Sequence, residues 1–240
     1  MTKTCTPILL ITALLLGTCG LPAQTVISQK RVHEVVLHFE SHAALIDSFA
    51  CVFNENPIPV LAVVAPEWVR YSMVRDLMET TALELAYVRF GPKAADFSIG
   101  PFQMKPSFVE DLEKAIHTMD PIPPVLAAAV AYTASDPAAQ RRVRICRMKD
   151  IRWQYFYAFA FYTLSQNRFE TVLSAEERKQ IAFIASAYNL GFTRPASAIE
   201  KWQKSEVFPY GSAFRGPQES YSGVALRFYE AMRERRGKVW

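Results

Sequence analysis

The 240-residue chain contains little cysteine and little glycine, with 4 Cys and 9 Gly. Four cysteines in a chain of this length exclude a small disulfide-stapled scaffold, because such domains are dense in cysteine. The formal net charge is only +4 and the basic residues are dispersed, which argues against a nucleic acid as the partner. The sequence also has no internal repeat, low-complexity tract, Gly-rich phosphate loop, CxxC pair or dinucleotide-binding fingerprint.

Apolar residues are abundant at 50% of the chain, and aromatic residues make up 12%. These fractions exclude a disordered chain, and the length is sufficient to bury a sizeable core. Helical spacing of the apolar residues, with proline and capping signals, predicts about eight to ten helices around one core. The predicted helices cover residues 32–49, a segment opening at Pro66, residues 106–116, 125–132, 137–148, 151–164 and 174–188, and segments after Pro195 and over 220–235.

The N-terminal segment differs from the rest, because residues 7–17 are all apolar or small and Lys3 is the only charge before Lys30. This run is too short to span a bilayer comfortably, and Ala23 stands at a plausible cleavage point. We therefore predict a signal peptide over residues 1–23 and a periplasmic or secreted protein. The alternatives are an uncleaved anchor and a lipoprotein, since residues 16–19, Leu-Gly-Thr-Cys, loosely resemble a lipobox that would lipidate Cys19.

Cleavage of a signal peptide would leave two cysteines, Cys51 and Cys146. In an oxidising compartment these two thiols could form a disulfide. Two buried free thiols are an equal alternative, because the sequence does not give the distance between them.

One stretch departs from the helical pattern. From residue 80 onward the apolar residues alternate, with Leu83, Leu85 and Tyr87 separated by other residues, and residues 91–93, Gly-Pro-Lys, carry a turn signal. We predict a small β-hairpin over residues 82–99. The alternative is one long helix over residues 66–90.

The sharpest local signal lies in residues 98–108, Ser-Ile-Gly-Pro-Phe-Gln-Met-Lys-Pro-Ser-Phe. Gly100 allows a tight backbone turn close to a ligand. Gln103 offers both a hydrogen-bond donor and an acceptor, and Pro106 can begin a helix. Residues 187–191, Ala-Tyr-Asn-Leu-Gly, form a second such segment further along the chain.

Together these segments resemble the lysozyme-like superfamily, in particular lytic transglycosylases and goose-type lysozymes. In that family a helix that begins near a proline ends in a catalytic Glu. A Gly-Leu-Met-Gln-like turn and a proline follow, and an Ala-Tyr-Asn-x-Gly turn comes later. Here Pro66, a Glu at 79 or 84, residues 100–106 and residues 187–191 stand in that order, although Gly-Pro-Phe-Gln replaces Gly-Leu-Met-Gln. The resemblance covers about residues 60–200 and implies a mainly α, lysozyme-like domain over residues 24–240.

The resemblance leaves two candidates for the catalytic carboxylate. Glu79 would lie at the end of the helix that opens at Pro66, as the family's helix does. Glu84 lies 19 residues before Gln103, which is closer to the spacing in bacterial transglycosylases than the 24 residues from Glu79. We favour Glu79 and keep Glu84 as the alternative.

The implied activity is cleavage of the β-1,4 bond between N-acetylmuramic acid and N-acetylglucosamine in peptidoglycan. One protonated Glu supplies a proton to the leaving oxygen, and burial keeps its pKa high. In a lytic transglycosylase the muramic acid 6-hydroxyl then attacks C1, whereas a hydrolase generally uses a second carboxylate, for which Asp96 is the nearby candidate. By resemblance, Tyr188 and Asn189 would line the opposite wall, and Gln103 would bind sugar or backbone from its turn.

Glycan strands are the expected partner of a monomer that needs no cofactor and no metal. A fortuitous metal site is the alternative to an ordinary polar helix face for Glu34, His38 and His42. Exposed cations that could meet peptide carboxylates are Lys105, Arg152 and Arg194. The competing class of function is a non-catalytic glycan-binding or envelope-assembly protein on the same fold.

Overall fold

A computed structural model describes residues 26–74 and 80–239 of the chain. Within these ranges the chain forms eleven helices and one pair of short antiparallel strands, so the prediction of a mainly α fold is confirmed. The predicted signal peptide, Cys19 and Glu79 lie outside the described residues. The elements are α1 (Gln29–Ser41), α2 (Ala43–Phe53), α3 (Pro57–Val74), α4 (Thr80–Phe90), α5 (Pro106–His117), α6 (Pro124–Val130), α7 (Pro137–Lys149), α8 (Ile151–Arg168), α9 (Glu177–Leu190), α10 (Ala196–Trp202), β1 (Glu206–Phe208), β2 (Glu219–Ser220) and α11 (Tyr221–Val239).

The helix predicted over residues 32–49 is two helices, α1 and α2, which meet at an angle of 73°. The break falls at His42, whose backbone has φ −110° and ψ 14°. Phe39 of α1 and Ile46 of α2 both enter the same core, which the bend makes possible. In the described ranges no single helix is long and apolar enough to cross a membrane, while the bent pair α1–α2 meets that test of length and composition jointly.

The third helix begins at Pro57, well before the predicted start at Pro66. Pro57 and Pro59 fit its first turn because the first N–H groups of a helix have no intrahelical partner. The Asn56 Oδ1 atom accepts the Ile58 N–H at 3.1 Å and stabilises that turn. The prolines at 57 and 59 therefore begin the helix.

Pro66 lies inside α3, where it removes one backbone hydrogen bond and crowds the carbonyl of the preceding turn. In that turn the Tyr221 hydroxyl of α11 donates to the Val63 carbonyl oxygen at 3.1 Å. Helix α3 thus receives a hydrogen bond from a neighbouring helix close to its proline, and it packs between α9 and α11.

The predicted β-hairpin over residues 82–99 is wrong, because Thr80–Phe90 is helix α4 and residues 91–98 are irregular. Tyr87 is fully buried in this helix, whereas Leu85 is 66% exposed, so the alternation in the sequence does not reflect two faces of a strand. Helix α4 ends against α7, where Arg141 donates to the carbonyl oxygens of Val88 and Arg89. These bonds satisfy carbonyls that have no partner at a helix end.

The centre of the core is α8, in agreement with the aromatic-rich helix predicted over residues 151–164. Aromatic side chains on all sides of this helix are buried, including Tyr155, Phe159 and Phe161. Helices α2, α3, α5, α7 and α9 surround it. A helix enclosed on all sides explains why the sequence there has no polar stripe.

The two strands lie just before α11, with Glu206 opposite Ser220 and Phe208 opposite Glu219. The Glu219 carboxylate also accepts the Ile27 N–H at 3.1 Å and forms an ion pair with Arg227 at 2.7 Å. The small sheet therefore ties the beginning of the described chain to the last helix.

Neither alternative for the cysteines agrees with the structure. Cys51 and Cys146 are both exposed, and they are not bonded to each other. Both lie on the outward faces of their helices, α2 and α7, so neither a disulfide nor a buried thiol describes them.

Candidate functional site

A polar cleft of about 440 Å³ lies where α3, the turn before α5 and the end of α9 meet. Its walls include Glu67 and Arg70 of α3, Gln103 and Lys105 of the turn, and Tyr188 and Asn189 of α9. Two of the segments that the sequence singled out, residues 98–108 and 187–191, therefore face each other across one cavity. The third wall comes from α3.

Glu67 lies in the cleft wall one residue after Pro66, and only 4% of it is exposed. Its Oε1 atom accepts a long hydrogen bond of 3.4 Å from Asn189 Nδ2. Its Oε2 atom is buried and has no hydrogen-bond partner, and the Arg70 guanidinium lies 3.6 Å away. A buried carboxyl with so few partners is disfavoured in its charged form.

Burial accordingly raises the pKa of Glu67 to about 7, against the opposing effects of Arg70, Asn189 and Lys105. The group therefore titrates close to neutral pH. A carboxyl in that range can both donate and accept a proton at the pH where most proteins work, which is the property of a general acid–base.

Asn189 is held in a fixed orientation by α10. The Trp202 indole Nε1 donates to Asn189 Oδ1 at 2.9 Å, so the amide nitrogen is the atom turned toward Glu67. The neighbouring Tyr188 is buried and its hydroxyl donates to the Phe102 carbonyl oxygen at 2.7 Å. The Tyr-Asn pair thus links the end of α9 to both Glu67 and the turn before α5.

That turn is a tight reversal between Ile99 and Met104, which exchange two backbone hydrogen bonds of 2.8 and 3.2 Å. Gly100 has φ +68°, and a Cβ there would lie 1.5 Å from the Gln154 Nε2 atom. Gln103 also has a positive φ of 49°, and its Nε2 donates to the Gly100 carbonyl oxygen at 3.0 Å. Glycine is required at position 100 both for its backbone conformation and for space.

Gln154 of α8 is completely buried and holds the turn through side-chain hydrogen bonds. Its Oε1 accepts the Phe102 N–H at 2.9 Å, and its Nε2 donates to the carbonyl oxygens of Ile99 and Met148 at 3.2 and 2.6 Å. The side chain therefore replaces backbone partners that the turn itself cannot supply. Sequence reasoning did not single out this residue, since a Gln inside an aromatic helix has no motif around it.

Asp96 lines the cleft and also fixes the start of α5. Its Oδ1 accepts the Ser107 N–H at 3.0 Å and its Oδ2 accepts the Ser107 hydroxyl at 2.8 Å. Both carboxylate oxygens thus have partners in the first turn of the helix, where negative charge is also favourable. The arrangement gives Asp96 a structural role as the cap of α5.

The structure brings together four of the predicted site residues, Gln103, Tyr188, Asn189 and Asp96, in this cleft. Glu84 does not line the cleft, because it lies on α4 and forms an ion pair with Lys149 of α7. Arg152 is likewise not among the lining residues, whereas Lys105 and Arg194 are.

Sequence reasoning missed Glu67 as a site residue and placed it in the first turn of a helix. One signal could have found it, since Glu67 is the only charged residue between Glu55 and Arg70. Residues 57–66 are all buried, so this acid interrupts a buried apolar helix. Acidic residues are seldom fully buried unless they are paired or functional.

On the histidine-containing face of α1, the His38 ring packs against His42 and Trp68, and its buried Nε2 atom has no hydrogen-bond partner. Glu34 pairs with Arg31 at 3.0 Å, and burial together with His42 lowers the pKa of His38 to about 4. Among the described residues, no group of three or more His, Cys, Asp or Glu side chains is placed to hold a metal ion.

Comparison with known proteins gives no family model, no curated protein and no solved structure that matches this chain. The candidate function therefore depends on the geometry of the cleft and on the sequence motifs that line it.

Proposed function

We propose that the protein is a peptidoglycan glycosidase of the lytic transglycosylase type, with Glu67 as its single acid–base. The observation that carries the proposal is the buried Glu67 carboxyl, which has one unpartnered oxygen in a polar cleft. The resemblance of residues 98–108 and 187–191 to lysozyme-like turns gives the substrate class, and both segments border the same cavity as Glu67.

In the first step the protonated Glu67 carboxyl donates its proton to the glycosidic oxygen, and the bond from that oxygen to C1 of N-acetylmuramic acid breaks. The Glu67 carboxylate then accepts the proton of the muramic acid 6-hydroxyl, whose oxygen forms a new bond to C1. The products are a 1,6-anhydro end and a free hydroxyl on the departing sugar. The proton lost in the first step returns to Glu67 in the second.

The state of the other carboxylates supports this route over hydrolysis. A hydrolase generally needs a second carboxylate to activate water or to form a glycosyl ester. Asp96 is bound at both oxygens by Ser107, and Asp111, the third acid in the cleft wall, pairs with Lys114 at 3.3 Å. Among the described cleft carboxylates, Glu67 alone keeps a buried oxygen without a hydrogen bond.

The test is digestion of isolated cell-wall sacculi by the purified protein, with the soluble products identified by mass spectrometry. We expect muropeptides with 1,6-anhydro ends. The conservative change Glu67→Gln should lower the rate by about 10²–10⁴, the usual size of a general acid–base contribution. Products with reducing ends would instead indicate a hydrolase.

Glu84→Gln and Glu79→Gln serve as matched controls, since both carboxylates are candidates from the sequence. We expect each variant to stay within a few-fold of the wild type. The assignment of Glu67 is wrong if Glu67→Gln stays active while either control loses activity. The enzyme hypothesis fails if the wild type releases no muropeptides, and binding to sacculi without release would favour the non-catalytic alternative.

A further inference from the structure

Three cationic side chains line the cleft, and each comes from a different segment. Arg70 lies on α3 one turn beyond Glu67, Lys105 immediately precedes α5, and Arg194 lies in the turn between α9 and α10. Lys105 is near enough to Glu67 to affect its pKa, and Arg70 lies 3.6 Å from Glu67 Oε2. The three positive charges therefore surround the same cavity as the proposed acid.

Arg70 pairs with Glu67 at 3.6 Å, whereas in the described part of the chain no acid of the cleft wall forms an ion pair with Lys105 or Arg194. Both oxygens of Asp96 accept hydrogen bonds from Ser107, and Asp111 forms an ion pair with Lys114, so neither carboxylate is bonded to Lys105 or Arg194. The pKa of Glu67 is raised to about 7, so below that pH its carboxyl is mostly protonated and carries little negative charge. In the described part of the chain, the side chains of Lys105 and Arg194 make no hydrogen bond or ion pair.

Cations that have no ion-pair partner in a concave site favour an anionic ligand, because low-dielectric walls concentrate the field. The sugar rings of a glycan strand are held mainly by neutral hydrogen bonds and apolar contacts and do not call for three cations. Peptidoglycan, however, carries peptide stems on its muramic acid residues, and these stems bear free carboxylates. The unpaired cations of the cleft therefore suit the carboxylates of the peptide stems better than the neutral sugar backbone.

We infer that Arg70, Lys105 and Arg194 form an anion subsite that binds a carboxylate of the peptide stem next to the cleaved bond. This inference rests on the proposed function and adds a substrate preference: strands that carry peptides are cleaved faster than strands from which the peptides have been removed. Lys105 and Arg194 are the specificity-determining residues. Arg70 contributes positive charge to the subsite, but it also lies 3.6 Å from the Glu67 carboxyl.

The experiment compares two substrates, intact sacculi and sacculi stripped of stem peptides by an amidase. We expect the wild type to cleave intact strands about two- to fivefold faster than stripped strands, the size of effect expected for an exposed ion pair. Lys105→Ala and Arg194→Ala should bring the ratio of the two rates toward unity. The ratio is the readout because any effect of Lys105 on the pKa of Glu67 changes both rates alike. Lys105→Arg should retain most of the preference, because the positive charge remains.

Two exposed cations outside the cleft provide matched controls, Lys30 for Lys105 and Arg142 for Arg194. Lys30→Ala and Arg142→Ala should keep the wild-type preference. The inference is overturned if the wild type cleaves both substrates equally, or if Lys105→Ala and Arg194→Ala slow both substrates to the same extent. A further comparison uses sacculi with and without their phosphate-containing wall polymers, with the peptides left in place. If removal of these polymers slows cleavage and removal of the peptides does not, the bound anion is a phosphate, and the assignment to stem carboxylates is wrong.

A binding assay separates failure of this inference from failure of the proposed function. The Glu67→Gln protein is sedimented with intact or stripped sacculi, alone and combined with Lys105→Ala. Retention that depends on both the peptides and Lys105 supports the subsite even where no cleavage is seen. Retention that is independent of both contradicts it, whatever the activity of the wild type.

Discussion

Two glutamates in this protein are equally buried, each 4% exposed, yet their surroundings differ greatly. Glu113 of α5 has partners at both oxygens: Arg144 donates to Oε2 from Nε at 3.1 Å and from a terminal nitrogen at 2.5 Å, and the Tyr132 and Tyr157 hydroxyls donate to Oε1. Glu67 of α3 has one long hydrogen bond from Asn189, and its other oxygen has no hydrogen bond and lies 3.6 Å from the Arg70 guanidinium.

The comparison shows that burial alone does not mark a functional carboxylate. A buried charge that is paired and hydrogen-bonded holds elements together, and here Arg144 joins α7 to α5 and, through the Tyr87 hydroxyl, to α4. A buried acid with few partners costs stability, and such groups are concentrated at functional sites. Because Glu113 is fully paired, we expect disruption of its network to lower stability and to leave activity unchanged. Because Glu67 has few partners, we expect its substitution to lower activity and to raise stability.

The largest effect on stability is expected from Arg144→Met, which leaves the Glu113 carboxylate buried without its cation. Removal of one partner from a buried ion pair typically costs about 3–5 kcal/mol. Urea unfolding should therefore show a large decrease in the free energy of unfolding. The protein that remains folded should cleave sacculi at the wild-type rate, because this network lies outside the cleft.

Arg141→Met on the same helix is the matched control. Arg141 donates only to the carbonyl oxygens of Val88 and Arg89 near the surface, so we expect a loss of about 1 kcal/mol. If Arg144→Met is as stable as this control, the Glu113 network does not have the structural role that distinguishes it from Glu67.

The next effect concerns the turn before α5, which is held by Gln154 of α8. Like Glu113, this buried side chain has hydrogen-bond partners at both of its polar atoms. Gly100→Ala would place a methyl group on Gln154 at a positive φ, and we expect a loss of about 2–4 kcal/mol from backbone strain and overpacking. Thermal unfolding measures the loss. Activity should fall as well, because the turn also positions Gln103 and Lys105.

Gly211→Ala separates the two contributions. Gly211 has φ +85° but no atom within 4 Å of the added Cβ, so only the backbone cost of about 1–2 kcal/mol applies. Equal losses for the two variants would mean that contact with Gln154 contributes nothing to the requirement for glycine at position 100.

These residues also show how far the sequence predicts the molecule. Helices with local signals were predicted well: Pro106 begins α5, Asp136 and Pro137 begin α7, and the enclosed aromatic helix is α8. Residues 98–108 and 187–191 were singled out because glycine, glutamine and asparagine have specific backbone and hydrogen-bonding properties. Residues of both segments line one cleft, and their roles in binding stay predictions. What failed was decided by distant contacts.

Two such failures have a clear physical origin. Residues 80–90 form a helix because Tyr87 packs into the core and bonds Glu110 of α5, partners that no local pattern can show. Glu67 was overlooked because its isolation depends on what α9 and α11 place around it. The sequence motifs singled out two segments that border one cleft, whereas Glu67, which lies between them, has no local motif.

A smaller effect concerns the free energy of unfolding, whose dependence on pH reports how burial affects the Glu67 carboxyl. The folded protein keeps this proton up to about pH 7, whereas the unfolded chain loses it near 4.5. The contribution of the group to stability is therefore fully present below about pH 4.5 and is lost as pH rises through 7. Glu67→Gln has no charge to bury, so at pH 8.5 it should be more stable than the wild type by about 2–3 kcal/mol.

Urea unfolding at pH 5, 7 and 8.5 measures this difference, which should shrink toward pH 5. Glu84→Gln is the control, since its carboxylate is paired with Lys149 at the surface and should show no such gain. A gain for Glu67→Gln that is the same at pH 5 and pH 8.5 would contradict a raised pKa at Glu67.

The smallest effect separates the two influences on Glu67, burial and its nearest cation. Arg70 lowers the pKa that burial raises, so Arg70→Met should move the pKa of Glu67 upward. The groups that face Glu67 from neighbouring elements are Lys105, Tyr188, Asn189 and Tyr221, and these stay in place. Because the protonated form is the acid, the fall of activity on the alkaline side should shift to higher pH. Arg70→Lys keeps the charge and should keep the wild-type profile. A downward shift for Arg70→Met, measured on stripped sacculi to exclude effects on peptide binding, would show that another group governs that limb.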